Sequence, residues 1–156
     1  MNQKRREVLR SGASAGLLAL LAAAGIIAPG EALATDWNKG AFDGKNVQEA
    51  LKALGAANPT FSSDILVRAA DIAENGAVVP VGVESRIPNT QSISILVDKN
   101  PAPLTASFDI PAGTDPVVTT RVKMGQTSDV YALVKADGKF YITKKEVKVT
   151  LGGCGG

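Results

Sequence analysis

The chain has 156 residues, 17 Lys+Arg against 15 Asp+Glu, no histidine and a single cysteine, Cys154. Without histidine there is no Ser-His-Asp triad, no Cys-His dyad, no His-ligated zinc or haem and no imidazole acid–base group; with one cysteine there is no intrachain disulfide, redox pair or cysteine metal cage. The length suits one domain with a modest core, 45 % hydrophobic with 21 % charged residues is globular composition, and 4 % aromatic is thin for stacking on bases or sugars.

Residues 1–34 read as a cleaved signal peptide. Lys4, Arg5, Arg6 and Arg10 form a basic start, an apolar run follows from Ala13 to Ala28, Pro29-Gly30 breaks it, and Ala32-Leu33-Ala34 offers small residues to a signal peptidase. A membrane anchor is the competing reading, but the run is about as short as a span allows and is rich in Ala and Gly rather than Leu and Ile. Arg5-Arg6-Glu7-Val8-Leu9-Arg10 carries the twin-arginine pattern, with Arg5 and Arg6 as the recognised pair. Such signals export folded proteins. A chain without His and with one Cys has no evident metal or haem of its own, so the expectation is no cofactor, and co-export of a folded partner that lacks a signal. The segment holds four basic and two acidic residues, which leaves thirteen of each from Thr35 onward. A net charge of zero gives no electrostatic footprint for nucleic acid or for a membrane surface, and no stable membrane insertion is expected.

The exported part opens with a helix. Asn46 caps it, Glu49 completes a capping box, Val47, Ala50, Leu51 and Leu54 share one face, and Gly55 stops it. Short strands then follow. Ile65–Ala69 and Ala77–Val83 flank a Glu74-Asn75-Gly76 turn, and Pro80 marks an edge or a bulge. Ile93, Ile95 and Val97 alternate on one face, as do Leu104, Ala106, Phe108 and Ile110 after the breaker Asn100–Pro103. Val118, Thr120 and Val122 come next. Val130, Ala132 and Val134 then lead into Asp137-Gly138, the strongest hairpin signal, with Phe140 and Ile142 on the return. Val147, Val149 and Leu151 form a last, separate strand. Seven or eight strands at this spacing predict a mainly β fold over 35–151: an antiparallel immunoglobulin-like β-sandwich with a short N-terminal helix and a flexible C-terminal tail. The sandwich alone does not decide function.

The tail, 152–156, is Gly152-Gly153-Cys154-Gly155-Gly156. Glycines hold no fixed backbone unaided, so the segment reads as a thin tether that carries Cys154 about 10 Å beyond Leu151 when extended. Exposed free thiols oxidise or pair in secreted proteins, which speaks against a functionless tail. The nearby terminal carboxylate disfavours the thiolate, so activation falls to client enzymes; the reach of Lys144, Lys145 and Lys148 onto the tail is open. Other readings are a ubiquitin-like carrier ending in Gly-Gly, a structural protein cross-linked through Cys154, and a lone-cysteine redox enzyme. Export away from ATP disfavours the first, and the lack of His and of a resolving Cys disfavours the last.

The twin-arginine signal, a sandwich of this size containing Ala-Glu-Asn-Gly-Ala-Val-Val-Pro-Val (Ala73 to Val81) and the terminal Gly-Gly-Cys-Gly-Gly together resemble the SoxY family, the sulfur-carrier subunits of the bacterial thiosulfate-oxidising Sox system. The resemblance implies a periplasmic, non-catalytic carrier paired with SoxZ as a heterodimer. It further implies that Cys154 is the covalent attachment point and that Gly152, Gly153, Gly155 and Gly156 form a swinging arm. SoxAX would couple thiosulfate to Cys154 oxidatively, the manganese hydrolase SoxB would release sulfate, and SoxCD, where present, would oxidise the remaining sulfane sulfur.

Overall fold

The computed structural model describes residues 38–150; residues 1–37 and 151–156, including Leu151, lie outside the described part. Two helices open it, α1 (Lys39–Phe42) and α2 (Val47–Ala53). Nine strands follow: β1 (Thr60–Phe61), β2 (Ile65–Ala69), β3 (Ile72–Ala73), β4 (Val79–Ser85), β5 (Thr90–Val97), β6 (Leu104–Asp109), β7 (Val117–Val122), β8 (Ser128–Ala136) and β9 (Lys139–Val149).

The local signals around α2 act as expected. Asn46 Oδ1 accepts from the Glu49 amide at 2.9 Å, while the Glu49 carboxylate takes the Asn46 side-chain amide and the Lys45 N–H, each at 2.8 Å. The box thus closes one residue further out than the usual pattern. At the other end Gly55, at φ +78°, allows paired return bonds, Gly55 N–H to Lys52 and Ala56 N–H to Leu51. Asn46→Ala is expected to cost about 1 kcal/mol, read as a lower midpoint in urea unfolding with an unchanged slope.

The strands form two sheets. The larger has the order β1-β9-β8-β5-β6, with β3 also on β9; the smaller has the order β2-β4-β7. Between them lies a core of alternating residues: Val79, Val81 and Val83 from β4, Ile93, Ile95 and Val97 from β5, and Val130, Ala132 and Val134 from β8. The odd-out residues Leu96 and Leu133 face the other way, onto Ala41, Val47, Ala50 and Leu51 of the helices. β5 and β8 are therefore apolar on both faces. The result is three layers, and the antiparallel sandwich expected from the strand spacing is present.

Five details depart from the sequence reading. Two helices precede the strands rather than one, because Asn38 caps a further turn at Lys39–Phe42, its Oδ1 accepting from the Ala41 N–H at 3.1 Å. Nine strands are present among the described residues rather than seven or eight, because β1 and β3 are two-residue strands that pair in parallel with β9. The return strand and the last strand are one, β9, since no Gly or Pro interrupts Lys144-Lys145-Glu146 and each of these pairs with β8. Pro80 lies inside β4, the middle strand of its sheet. β2 pairs β4 only from Val81 onward, so at Pro80 the strand has β7 alone beside it, and the missing N–H costs no ladder bond on the β2 side. Lastly, the register between β5 and β6 shifts between Ile95 and Leu96. That bulge turns Leu104 toward the helices while Phe108 and Ile110 stay against the inter-sheet core, so the four alternating residues do not share one face.

The Asp137-Gly138 hairpin is as expected: both residues have positive φ, +48° and +73°, as a two-residue turn with right-handed flanking twist requires. The chain between β1 and β3 closes one side of the sandwich. Its ends pair with β9, while its middle, β2, crosses to the smaller sheet; Lys145 Nζ donates to the Ala69 carbonyl at 2.5 Å across that seam.

Candidate functional site

Cys154, Gly152, Gly153, Gly155 and Gly156 lie outside the described residues, as do Arg5 and Arg6. The structure does describe the ground from which the C-terminal segment departs. β8 accompanies β9 only as far as the Ser128–Val147 pair. Beyond that point the hairpin partner is gone, and the last residues of β9 are held by other means.

Each of the three residues from Lys148 to Thr150 donates its backbone N–H to a different group. Lys148 gives its N–H to the Asp71 carbonyl at 2.9 Å, Val149 to Thr127 Oγ1 at 3.0 Å and Thr150 to the Ala73 carbonyl at 3.2 Å. The Thr150 hydroxyl donates to the Glu74 carbonyl at 3.5 Å. On one side the grip comes from Asp71–Gly76, which includes β3; on the other it comes from the loop between β7 and β8. The two sides are tied to each other, because the Met124 N–H donates to the Gly76 carbonyl at 2.7 Å. Asn75 caps its own turn, accepting from the Ala77 N–H at 2.9 Å.

Gly76 is at the centre of this clamp and is buried. A Cβ at this position would lie 2.3 Å from the Met124 carbonyl oxygen and 2.8 Å from Val149 Cγ1. Turn, loop and strand thus meet where only a hydrogen fits. The Ala73–Val81 stretch that carried the family resemblance is the clamp and the start of β4. Sequence reading marked Asn75-Gly76 as a turn. It gave no sign of Asp71, Thr127 and Met124 as partners, because their contacts join segments tens of residues apart.

Two of the three nearby lysines are already engaged. Lys144 Nζ binds Asp129 at 2.7 Å, which raises the Lys144 pKa, and it lies over the Tyr131 ring. Lys145 is 3.0 Å from Asp71. Lys148 is exposed and makes no ion pair among the described residues. At the far end of the sandwich a cleft of about 490 Å³ opens between the β4–β5 and β6–β7 loops, lined by Arg86, Asn89, Gln91 and Thr114 among others. The antiparallel strand directions put it at the opposite end from Thr150. Beside it Glu84 accepts from Arg68 and Arg86, and the Arg68 hydrogen bond leads in holding the Glu84 carboxyl below its usual pKa.

Among the described residues no group of three or more His, Cys, Asp or Glu side chains is placed to hold a metal ion, and no helix is long and apolar enough to cross a membrane.

Comparison with known proteins converges on one family. The family model for sulfur oxidation protein SoxY matches residues 50–154, a span that ends on Cys154. No match is found among curated protein sequences. Among solved structures, the chain is similar to the sulfur carrier protein SoxY from Chlorobium limicola f thiosulfatophilum. The two are 39 % identical with a TM-score of 0.62, over 68 % of this chain and 97 % of that one. It also shares the fold of a superoxide reductase (neelaredoxin) from Ignicoccus hospitalis, at 17 % identity and a TM-score of 0.50, over 63 % of this chain and 86 % of that one. With a family model matched over more than half its length and a SoxY relative aligned over nearly all of that protein, the chain belongs to the SoxY family of sulfur oxidation proteins.

Proposed function

We propose that this protein is a periplasmic sulfur carrier, exported by the twin-arginine route, that holds thiosulfate-derived intermediates on Cys154. The observation that carries the reading is the SoxY family match running through Cys154, the sole cysteine of the chain. Gly152, Gly153, Gly155 and Gly156 serve as the arm that takes the cysteine into a partner's active site. The carrier supplies no acid–base or metal chemistry, in keeping with a sequence that has no histidine.

The chemistry on the arm is a cycle. Cys154 gives up its thiol proton, and its sulfur bonds to the sulfane sulfur of thiosulfate. Two electrons leave to the haem enzyme SoxAX, and an S-thiosulfonate results. Hydrolysis by SoxB releases sulfate and leaves a persulfide on Cys154. SoxCD, where present, oxidises the outer sulfur, and a second hydrolysis restores the thiol. SoxZ is the stable partner, and the haem and manganese belong to the enzymes. Asp129 engages Lys144 and Asp71 engages Lys145, so two of the three nearby lysines already have carboxylate partners, in keeping with activation of the thiol by the partner enzymes.

Intact-mass analysis of protein purified from thiosulfate-grown cells tests the reading. Mass additions of an S-thiosulfonate and of a persulfide, both removed by reductant, are expected. A population containing only free thiol and a disulfide-linked symmetric dimer would instead support the cross-linking role.

A further inference from the structure

The clamp around the end of β9 leads beyond the carrier reading, on which it rests for its functional meaning. We infer that Gly76 is a positioning residue: by letting the Ala73–Gly76 turn close against Met124 and Val149, it fixes the point at which the arm begins and so sets how far Cys154 reaches.

β9 outlasts its hairpin partner. The last pair with β8 is Ser128–Val147, yet backbone hydrogen bonds continue through Lys148, Val149 and Thr150 to Asp71, Thr127 and Ala73. The last three described residues of the chain are therefore tied by the clamp and not by the hairpin. Cys154 lies four residues past Thr150 and seven past Val147. At full extension the leash is about 14 Å with the clamp closed and about 24 Å if the chain is free from Lys148 onward. The volume a tethered thiol explores grows steeply with that length, and its effective concentration at a docked active site falls accordingly. Closing the clamp thus shortens the leash by three residues.

Gly76 is the contact on which closure depends. Its hypothetical Cβ meets a backbone oxygen, that of Met124 at 2.3 Å, and not the end of a flexible side chain. Relief requires the turn to move away from the β7–β8 loop or from Val149. Gly125, only one residue beyond Met124, is the natural control, since a Cβ there meets nothing within 4 Å and its φ is not in the left-handed region.

Distance measurement between two spin labels on the full-length exported chain tests this. One label is placed on Cys154 and the other on a cysteine introduced by Asp115→Cys, an exposed site in the β6–β7 loop at the other end of the sandwich. In the Gly76→Ala background the distance distribution is expected to broaden, with its far limit moving out by up to about 10 Å. Thr127→Val, which removes the acceptor for the Val149 N–H, should produce a smaller change of the same kind, and Gly125→Ala should overlay the parent. Amide exchange at Val149 and Thr150 should accelerate by about tenfold or more in the first two variants while Val130 and Val134 stay protected. A folded Gly76→Ala protein with an unchanged distribution would overturn the inference, and so would an equal shift in Gly125→Ala. If Gly76→Ala does not fold, the Thr127→Val distribution decides alone, an unchanged one overturning the proposal. The labels report arm geometry on protein that carries no sulfur. A shifted distribution in a chain that never acquires thiosulfate-derived mass would refute the carrier role and leave the positioning role standing.

Discussion

Cys154→Ser is expected to remove every thiosulfate-derived mass addition and to stop thiosulfate oxidation by a reconstituted set of Sox enzymes, while the melting temperature stays within about 1 °C of the parent. The loss is all-or-none because the chain has no second thiol to take over, and a serine hydroxyl neither forms a stable bond to sulfane sulfur nor gives a persulfide. Retention of the fold is expected because the substitution exchanges a single atom, sulfur for oxygen, and both described cores, the inter-sheet one and the one beneath the helices, are assembled among residues between Ala41 and Val149. The two readouts separate the carrier from a cross-linked structural protein, for which the same substitution would abolish dimers and leave thiosulfate oxidation untouched. Residual turnover above a few per cent would mean that sulfur travels on another group.

The largest effect on stability is expected at Ile95. This side chain is fully buried in β5, which pairs with β6 on one side and β8 on the other, and it faces the smaller sheet across the core. Ile95→Ala removes three carbons where three strands and a second sheet hold the surroundings in place, so the void closes poorly and the cost is about 3 to 4 kcal/mol. For a domain of this size that corresponds to a melting point lower by about 15 °C. Denaturant unfolding followed by circular dichroism checks it, and a loss under about 1 kcal/mol would show that the core collapses around the gap. Sulfur loading of the protein that remains folded should be normal, which keeps this variant distinct from Cys154→Ser.

The features legible in the sequence are those whose cause is local. Asn46, Glu49 and Gly55 bracket α2 with side-chain and backbone bonds spanning only a few residues. Asp137-Gly138 sets its hairpin through the φ angles of two adjacent residues. Ile93, Ile95 and Val97 share a face because strand periodicity needs no knowledge of the partner. What escaped the sequence is what the partner decides. Thr60–Phe61 and Ile72–Ala73 become strands only because β9 offers a free edge, and two residues carry no period to detect. Pro80 fits a middle strand because β2 stops short of it, a fact about register. The same holds at the candidate site. The cysteine between glycines announces itself in composition, whereas the clamp at the root of that segment joins Asp71–Gly76, Met124–Thr127 and Lys148–Thr150 from three parts of the chain.

The placement of β9 has a consequence for how the molecule is made. This strand is the last described one in the chain, yet it runs through the interior of the larger sheet, with β8 on one side and β1 and β3 on the other. Thr60 and Phe61 wait for Tyr141 and Ile142, and Ile72 and Ala73 wait for Lys148 and Val149. Such distant pairings are slow to form, because the closure entropy of the intervening chain must be met before any contact repays it. A ribosome-bound chain that has not yet released β9 lacks the strand that joins β8 to β1 and β3. The sandwich is therefore expected to close only once β9 has emerged, with the clamp at the end of that strand forming late.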